Sequence, residues 1–175
     1  QHWGITYPEP KIDLDKLRAS KDAVVEKLTS GLGQLSKARH VQYLRGRASF
    51  VDSTTLRVVD EQGHEQELKV DYTILAPGSR PAGLPNTYLE SERIMNSTDA
   101  LEMPDLPKNM LVIGGGYIGL ELGSVYATFG TQVTLVEMTS SLLPGADSDL
   151  VKFVANRMEA LMHRILLNTK VVDLK

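Results

Sequence analysis

The chain has 175 residues, of which 42% are apolar, and this share is ordinary for a folded globular protein. A formal net charge of −3 and a pI near 5.8 argue against binding to nucleic acid or to an anionic membrane, and no apolar run approaches the length of a membrane span. Cysteine is absent, which excludes disulfides, thiolate catalysis and cysteine-based metal sites within these residues.

The N-terminal part of the sequence predicts a long helix followed by a small antiparallel sheet. After an extended lead-in over residues 1–12, apolar residues recur at helical spacing from Asp13, whose side chain suits an N-cap, to about Lys37. Residues 60–63, Asp-Glu-Gln-Gly, predict the turn between the last two strands of a meander. The predicted strands are Val41–Leu44, Ala48–Val51, Thr55–Val59, Glu67–Val70 and a further apolar run, Tyr72–Ala76.

Residues 110–137 carry the strongest motif of the chain. An apolar strand, Leu111–Ile113, leads directly into a Gly-x-Gly-x-x-Gly run that begins at Gly114. A helix follows, with Gly130 as its C-cap, and a second apolar strand ends on the acid Glu137. This order is typical of a dinucleotide-binding βαβ unit, and it outweighs the alternative of a plain strand–turn–helix connection.

Each glycine of the run has its own predicted purpose. Gly114 permits a tight turn out of the strand, and Gly116 has no Cβ atom to hold a pyrophosphate away from the backbone. Gly119 lets the helix lie close to the sheet. The N-terminus of that helix offers free N–H groups and a positive dipole end to phosphates.

The acid after the second strand selects the nucleotide. A carboxylate at Glu137 would accept hydrogen bonds from both ribose hydroxyls of an adenosine, whereas a 2′-phosphate there would meet like charge. Residues 138–142 contain no arginine or lysine that would favour such a phosphate. The sequence therefore predicts NAD rather than NADP.

A second helix is predicted from the N-cap Asp147 to about Met162, with Leu150, Val154, Met158 and Leu161 facing inward. A third strand follows over Ile165–Leu167 or further, to Leu174. The predicted fold class is α/β, with a Rossmann-type parallel sheet (βαβαβ) that follows the long helix and the antiparallel meander. A doubly wound sheet needs further strands, so both halves are expected to be pieces of larger domains.

Other polar residues give no second candidate site. The four histidines show no metal-ligand spacing, and no Ser-His-Asp arrangement has supporting context, so neither a metal site nor a catalytic residue is predicted. These histidines are His2, His40, His64 and His163.

Taken together, the motifs resemble one family, the dihydrolipoamide dehydrogenases, which are FAD- and NAD-dependent pyridine nucleotide-disulphide oxidoreductases. The resemblance covers almost the whole chain and is far more specific than the glycine run alone. The stretches that carry it are His2–Ile5, Pro8–Asp13, Thr29–Leu32, Tyr43–Gly46, Leu75–Pro81, Ser97–Leu101, Gly114–Gly123, Val136–Met138 and Pro144–Asp147.

The resemblance implies that residues 1–80 are the latter part of an FAD-binding domain and that residues 81–108, which hold four prolines, connect the domains. Residues 109–175 would be the first half of an NAD-binding domain. The flavin fingerprint, the redox cysteine pair and the His-Glu base of the family would lie outside this sequence. Residues 1–175 alone are therefore expected to be catalytically inactive.

The resemblance also implies binding residues. For NAD they are Gly114, Gly115, Gly116, Tyr117, Ile118, Gly119, Glu121, Glu137 and, through its backbone, Val171. For FAD they are Ala48, Pro77, Gly78 and Ser79, with Ala48 and Pro77 departing from the residues more usual in the family. Considered without the family, Glu121 and Tyr117 suggest only a surface carboxylate and a packed tyrosine. The family would place Glu121 near the nicotinamide and would let Tyr117 open or close the pocket that holds the nicotinamide.

The implied activity is reoxidation of dihydrolipoyl groups in 2-oxoacid dehydrogenase complexes, with electrons passing through an enzymic disulfide and flavin to NAD. The implied partners are lipoyl domains and a second subunit in a homodimer, with no nucleic acid or membrane. The implied location is the bacterial cytoplasm, or the mitochondrial matrix in a eukaryote. Two alternatives stay open: another NAD-linked flavoenzyme of the mercuric reductase, transhydrogenase or NADH oxidase type, or a non-catalytic nucleotide-binding protein.

Overall fold

The structure is a computed structural model that describes residues 4, 8, 10–83 and 91–174. The chain divides into two compact units, one of Lys21–Arg80 and one of Gln1–Ser20 with Pro81–Lys175. The elements in chain order are α1 (Leu14–Ala38), β1 (Arg47–Phe50), β2 (Thr55–Val59), β3 (Glu65–Lys69), α2 (Ser97–Glu102), β4 (Asn109–Ile113), α3 (Tyr117–Thr128), β5 (Gln132–Val136), α4 (Ser148–Leu161) and β6 (Arg164–Leu166).

The predicted long helix is confirmed as α1. It begins where expected, because the Asp13 carboxylate accepts the N–H of Lys16 at 3.1 Å and so satisfies one of the free donors of the first turn. None of its residues is buried, and Leu14 and Leu17 near its start are half-buried. Five apolar side chains further along the helix are more than half exposed. They are Val24, Val25, Leu28, Leu32 and Leu35.

The predicted meander is confirmed as a three-stranded antiparallel sheet in the order β1-β2-β3. Ala48 lies opposite Val58, and Leu56 lies opposite Leu68. The turn between β2 and β3 forms because Asp60 Oδ1 accepts the N–H groups of Gln62 and His64, each at 2.9 Å. Such local side-chain bonds are the usual reason for aspartate in turns.

Two predicted strands are wrong. Val41–Leu44 and Tyr72–Ala76 are coil, and Tyr43 and Tyr72 are 80% and 93% exposed. Both runs have the apolar, aromatic composition of strands, but a strand also needs a neighbour to pair its backbone groups. Within the described part of the chain, neither run is hydrogen-bonded into a sheet.

The βαβαβ prediction is confirmed by the second sheet, in which β4, β5 and β6 are parallel and lie in that order. Val112 lies opposite Leu135, and Leu135 lies opposite Ile165. Helices α3 and α4 make the two crossovers. The core between them and the sheet consists of Leu120, Tyr126, Val133, Leu135, Leu142, Val151 and Met162.

The predicted inward face of helix α4 is confirmed at Val154 and Met158, which pack against the core, and is wrong at Leu150. Leu150 is 63% exposed, whereas Val151 is buried and Ala155, Met158 and Met162 continue the same stripe. These four residues are spaced four, three and four apart, which keeps them on one helix face, and a shift of one residue rotates a side chain by about 100°. The third strand ends at Leu166 and does not extend to Leu174.

The connection between the sheets contains a helix that the sequence reading did not include. The Asn96 side chain caps α2 by accepting the N–H groups of Thr98 and Asp99 at 2.8 and 3.2 Å, and the Asp99 carboxylate accepts the N–H of Asn96 at 3.0 Å. This is a reciprocal capping box. Most of the predicted lead-in, with His2, and the middle of the connection, residues 84–90, lie outside the described residues.

The described residues contain neither a membrane-spanning helix nor a cluster of metal ligands. No helix among them is long and apolar enough to cross a membrane. Among the same residues, no three histidine, cysteine, aspartate or glutamate side chains group as they would around a metal ion.

Candidate dinucleotide-binding site

The glycine run forms a tight turn between β4 and α3. Gly114 has a φ of +109°, a conformation that glycine adopts without strain, and its N–H donates to the carbonyl oxygen of Val136 at 2.9 Å. Gly116 is the N-cap residue of α3 and offers no capping side chain. The first N–H groups of α3 therefore point out of the turn at the carboxyl edge of the sheet. The N-terminus of a helix with such free N–H groups commonly binds anions.

The second and third glycines of the fingerprint meet different surroundings. A Cβ atom added to Gly116 would have nothing within 4 Å, so the space above this backbone is open to a ligand. A Cβ atom added to Gly119 would collide with the carbonyl oxygen of Gly114 and lie 3.1 Å from Cγ1 of Val112. The predicted packing reason for Gly119 is thus confirmed, because α3 approaches β4 too closely for any other residue.

Glu137 lies directly after β5 and its side chain is fixed against the glycine turn. Only 7% of the residue is exposed. Its Oε2 atom accepts the N–H of Gly115 at 2.7 Å, and its Oε1 atom accepts the N–H of Thr139 at 2.8 Å. Desolvation by burial acts to raise the pKa of Glu137, but the hydrogen bonds from Gly115, Thr139 and Met138 outweigh it and hold the pKa below its ordinary value.

The carboxylate is therefore ionised near neutral pH and held at the place where the sequence predicts an adenosine ribose. A carboxylate has about four acceptor sites on its two oxygens, and ribose hydroxyls are suitable donors. A 2′-phosphate at the same point would meet a buried negative charge. The assignment of Glu137 to the ribose stays a prediction that this geometry fits.

The remaining predicted NAD residues lie on α3 and after β6. Tyr117 is 67% exposed, so it is not the packed tyrosine that the sequence alone suggested. Ile118 is partly exposed, and Glu121, one turn after Tyr117, is exposed on the same helix face. Val171 is half-buried in the coil after β6. Contact of these residues with NAD stays a prediction.

The predicted FAD residues lie in the unit Lys21–Arg80. Ala48 is an exposed residue of β1. Pro77, Gly78 and Ser79 are exposed coil, and the φ of +74° at Gly78 marks a turn that favours glycine. Their contact with FAD stays a prediction.

A cleft of about 1050 Å³ borders the glycine turn. Its lining includes Gly114, Gly116 and Ile118, together with β4 and residues 92–97. Its volume is slightly above the usual range of about 300–1,000 Å³ for small-molecule and cofactor sites.

Three residues beside the turn were not recognised in the sequence as part of the site. Thr139 donates to Glu137, Leu142 is 3% exposed and borders Gly115, and the Leu143 N–H donates to the carbonyl oxygen of Gly115 at 2.9 Å. They lie 24 or more residues after Gly115 in the chain, so local pattern could not relate them to it. The one available signal was Gly115 itself. The fingerprint requires glycine at Gly114 and Gly116 and accepts any residue between them.

Comparisons with known proteins agree on one family. The family model described as pyridine nucleotide-disulphide oxidoreductase matches residues 5–175. A dihydrolipoyl dehydrogenase of Haemophilus influenzae is 46% identical over 168 residues, which are 96% of this chain and 35% of the relative. A dihydrolipoyl dehydrogenase of Bacillus subtilis is 43% identical over 156 residues, 89% of this chain and 33% of the relative.

The chain thus spans about a third of the length of these curated relatives. The solved structure of LpdA from Mycobacterium tuberculosis matches 98% of the chain and 38% of its own with a TM-score of 0.82 at 24% identity, which shows that the fold is shared. With the family model matching nearly every residue, the chain belongs to the pyridine nucleotide-disulphide oxidoreductase family.

Proposed function

We propose that the protein containing this chain is a dihydrolipoyl dehydrogenase that uses FAD and NAD. The observation that carries the nucleotide part is the Glu137 carboxylate, nearly buried and fixed to the glycine turn by the N–H of Gly115 at 2.7 Å. The enzyme name is supported by the relatives at 46% and 43% identity, both of which are called dihydrolipoyl dehydrogenase.

The residues of the turn fit NAD. The open space above Gly116 would take the pyrophosphate, and the free N–H groups at the start of α3 would bind its oxygens. Glu137 would orient the adenosine ribose, and the exposed Glu121 would accept the carboxamide N–H of the nicotinamide. The chain's residues hold and orient the dinucleotide, and the open side of the turn faces the cleft along β4.

When bound, the two cofactors supply the redox chemistry that carries electrons from a dihydrolipoyl dithiol to the nicotinamide. Ala48, Pro77, Gly78 and Ser79 would lie along the FAD. The dithiol would come from the lipoyl domains of 2-oxoacid dehydrogenase complexes, and the intact enzyme would be a homodimer. These partners, and the cytoplasm or mitochondrial matrix as the location, follow from the family resemblance.

The test uses the natural gene product purified with its flavin. Dihydrolipoamide is added with NAD or, in a parallel reaction, with NADP, and reduced nucleotide is measured. We expect NADH formation that depends on dihydrolipoamide and is much faster than NADPH formation. Oxidation of NADH by oxygen without dihydrolipoamide turnover would contradict the proposal and favour an oxidase. Absence of both flavin and turnover would favour a non-catalytic binding protein.

A further inference from the structure

Gly115 occupies the position between the first two fingerprint glycines, where the fingerprint accepts any residue. Unlike Gly114, it does not have a left-handed backbone conformation, so its φ gives no reason to require glycine. The reason is steric. A Cβ atom on Gly115 would lie 2.8 Å from Cδ2 of Leu142 and 3.1 Å from both Cβ and Cγ of Glu137.

The segment from Glu137 to Leu143 also makes hydrogen bonds with both backbone groups of Gly115. The N–H of Gly115 donates to Glu137 Oε2 at 2.7 Å, and its carbonyl oxygen accepts the N–H of Leu143 at 2.9 Å. Leu143 has a φ of +48°, a conformation that is uncommon for a leucine, and it directs this N–H back toward the turn. We call Glu137–Leu143 the clasp.

Leu142 gives the clasp its fixed position. It is 3% exposed and belongs to the core cluster with Leu120 and Leu135. Because closely packed side chains cannot move independently of their neighbours, the Leu142 side chain is held by the core and in turn limits where Gly115 can lie. The core thus contacts the dinucleotide turn through this leucine.

We propose that Leu142 is a positioning residue for dinucleotide binding, which acts by pressing on Gly115 and keeping the glycine turn in its binding shape. The inference rests on the proposed NAD site. A turn that already has its bound conformation loses less conformational entropy when the ligand arrives, so a change at Leu142 should lower NAD affinity without Leu142 touching the ligand.

The experiment is a mutant cycle in the natural gene product with its flavin bound. The variants are Gly115→Ala, Leu142→Ala and the double variant, with Gly116→Ala alone and combined with Leu142→Ala as the matched control. For each protein, NAD affinity is measured by calorimetric titration, and flavin content and the thermal unfolding midpoint are recorded. Leu142→Val replaces Leu142→Ala throughout if the alanine variant does not fold, because valine also lacks the Cδ2 atom.

Gly115→Ala should weaken NAD binding about tenfold, the loss that follows when one hydrogen bond to a charged group is broken. Leu142→Ala alone should also weaken it, with flavin content unchanged. The double variant should bind NAD more tightly than Gly115→Ala, because the new methyl group enters the space that Leu142 vacates.

Gly116→Ala, the control, should weaken NAD binding with an unchanged unfolding midpoint, since its Cβ atom has open space. Adding Leu142→Ala to Gly116→Ala should not restore NAD affinity.

Two results would show that the positioning inference is wrong, provided that Gly116→Ala still weakens NAD binding. One is a Gly115→Ala protein that binds NAD as the native protein does, and the other is a double variant that binds NAD no more tightly than Gly115→Ala. In either case the proposed NAD site stands. If the native protein does not bind NAD, or if Gly116→Ala leaves its affinity unchanged, the proposed site itself is wrong. The two failures are therefore distinguished by the Gly116 variant.

Discussion

The N–H of Gly115 and the carboxylate of Glu137 are joined by a 2.7 Å hydrogen bond between the turn after β4 and the residue after β5. The two features that are usually considered separately, a phosphate turn and a ribose acid, are thus one connected structure in this protein. A change in the acid will alter the turn as well as the ribose contact.

Replacing Glu137 by alanine should weaken NAD binding by about 1.5–3 kcal/mol, the range for a hydrogen bond to a charged group. NADP binding should weaken little or improve, because removal of the like charge offsets the loss of the bond to Gly115. Titration of the natural gene product with both nucleotides measures this. Glu159→Gln, which neutralises an exposed acid on α4, is the control and should change neither affinity. A Glu137→Ala protein that keeps native NAD affinity and still rejects NADP would show that the ribose assignment is wrong.

The lowered pKa of Glu137 makes stability depend on pH. Because the pKa in the folded protein lies below the ordinary value of 4.5, the unfolded chain binds the proton more readily. The stabilisation is therefore fully present above the ordinary pKa and is lost as pH falls through the folded pKa. Unfolding midpoints of native protein and Glu137→Gln, measured from neutral pH to about pH 3, should converge as the pH drops. A difference that stays constant over this range would contradict the prediction.

The two glycines on the buried face of α3 should respond differently to alanine. Gly119→Ala drives a Cβ atom into the backbone carbonyl of Gly114 and should lower the free energy of unfolding by about 1–3 kcal/mol or more. Gly123→Ala meets Cε of Met162 at 3.0 Å, and this is the free end of a flexible side chain. The better helix propensity of alanine, about 1 kcal/mol, should offset that contact. Denaturant titration of both variants tests the contrast, and equal losses would refute it.

The buried hydroxyl of Tyr126 holds α3 to α2. It donates to the carbonyl oxygen of Ala100 at 3.0 Å, and the residue is 1% exposed. Tyr126→Phe should therefore lower the free energy of unfolding by about 0.5–1.5 kcal/mol and leave NAD affinity unchanged. Tyr117→Phe, in which the same hydroxyl is lost from a residue that is 67% exposed, should not change stability. Similar losses in both variants would show that the Ala100 bond contributes nothing.

The sequence predicted best where the determining residues are close together in the chain. The turn at Gly114 and the acid directly after the second strand, Glu137, were placed correctly, because a fixed spacing reflects a local geometric requirement. The predicted C-cap Gly130 is one residue past the C-cap Phe129, and its φ of +98° suits glycine. The strand at Tyr72–Ala76 was wrong because its composition describes a strand but no described strand pairs with it.

The clasp was missed for a related reason. The requirement for glycine at Gly115 comes from Leu142, and no periodic pattern relates residues that far apart. On α4, only Leu150 was wrongly expected to face inward, since Leu150 and Val151 are equally apolar and only the packed sheet decides which of them is buried.

The difference between the two sheets bears on the order in which the chain folds. In the antiparallel sheet, β2 meets β3 across the short turn at Asp60, so this pairing can form as soon as both strands have been synthesised. In the parallel sheet, Met110 pairs with Val133, and all of α3 lies between them. We therefore expect the glycine turn to take shape late, only after β5 has left the ribosome and supplied Val136 and Glu137.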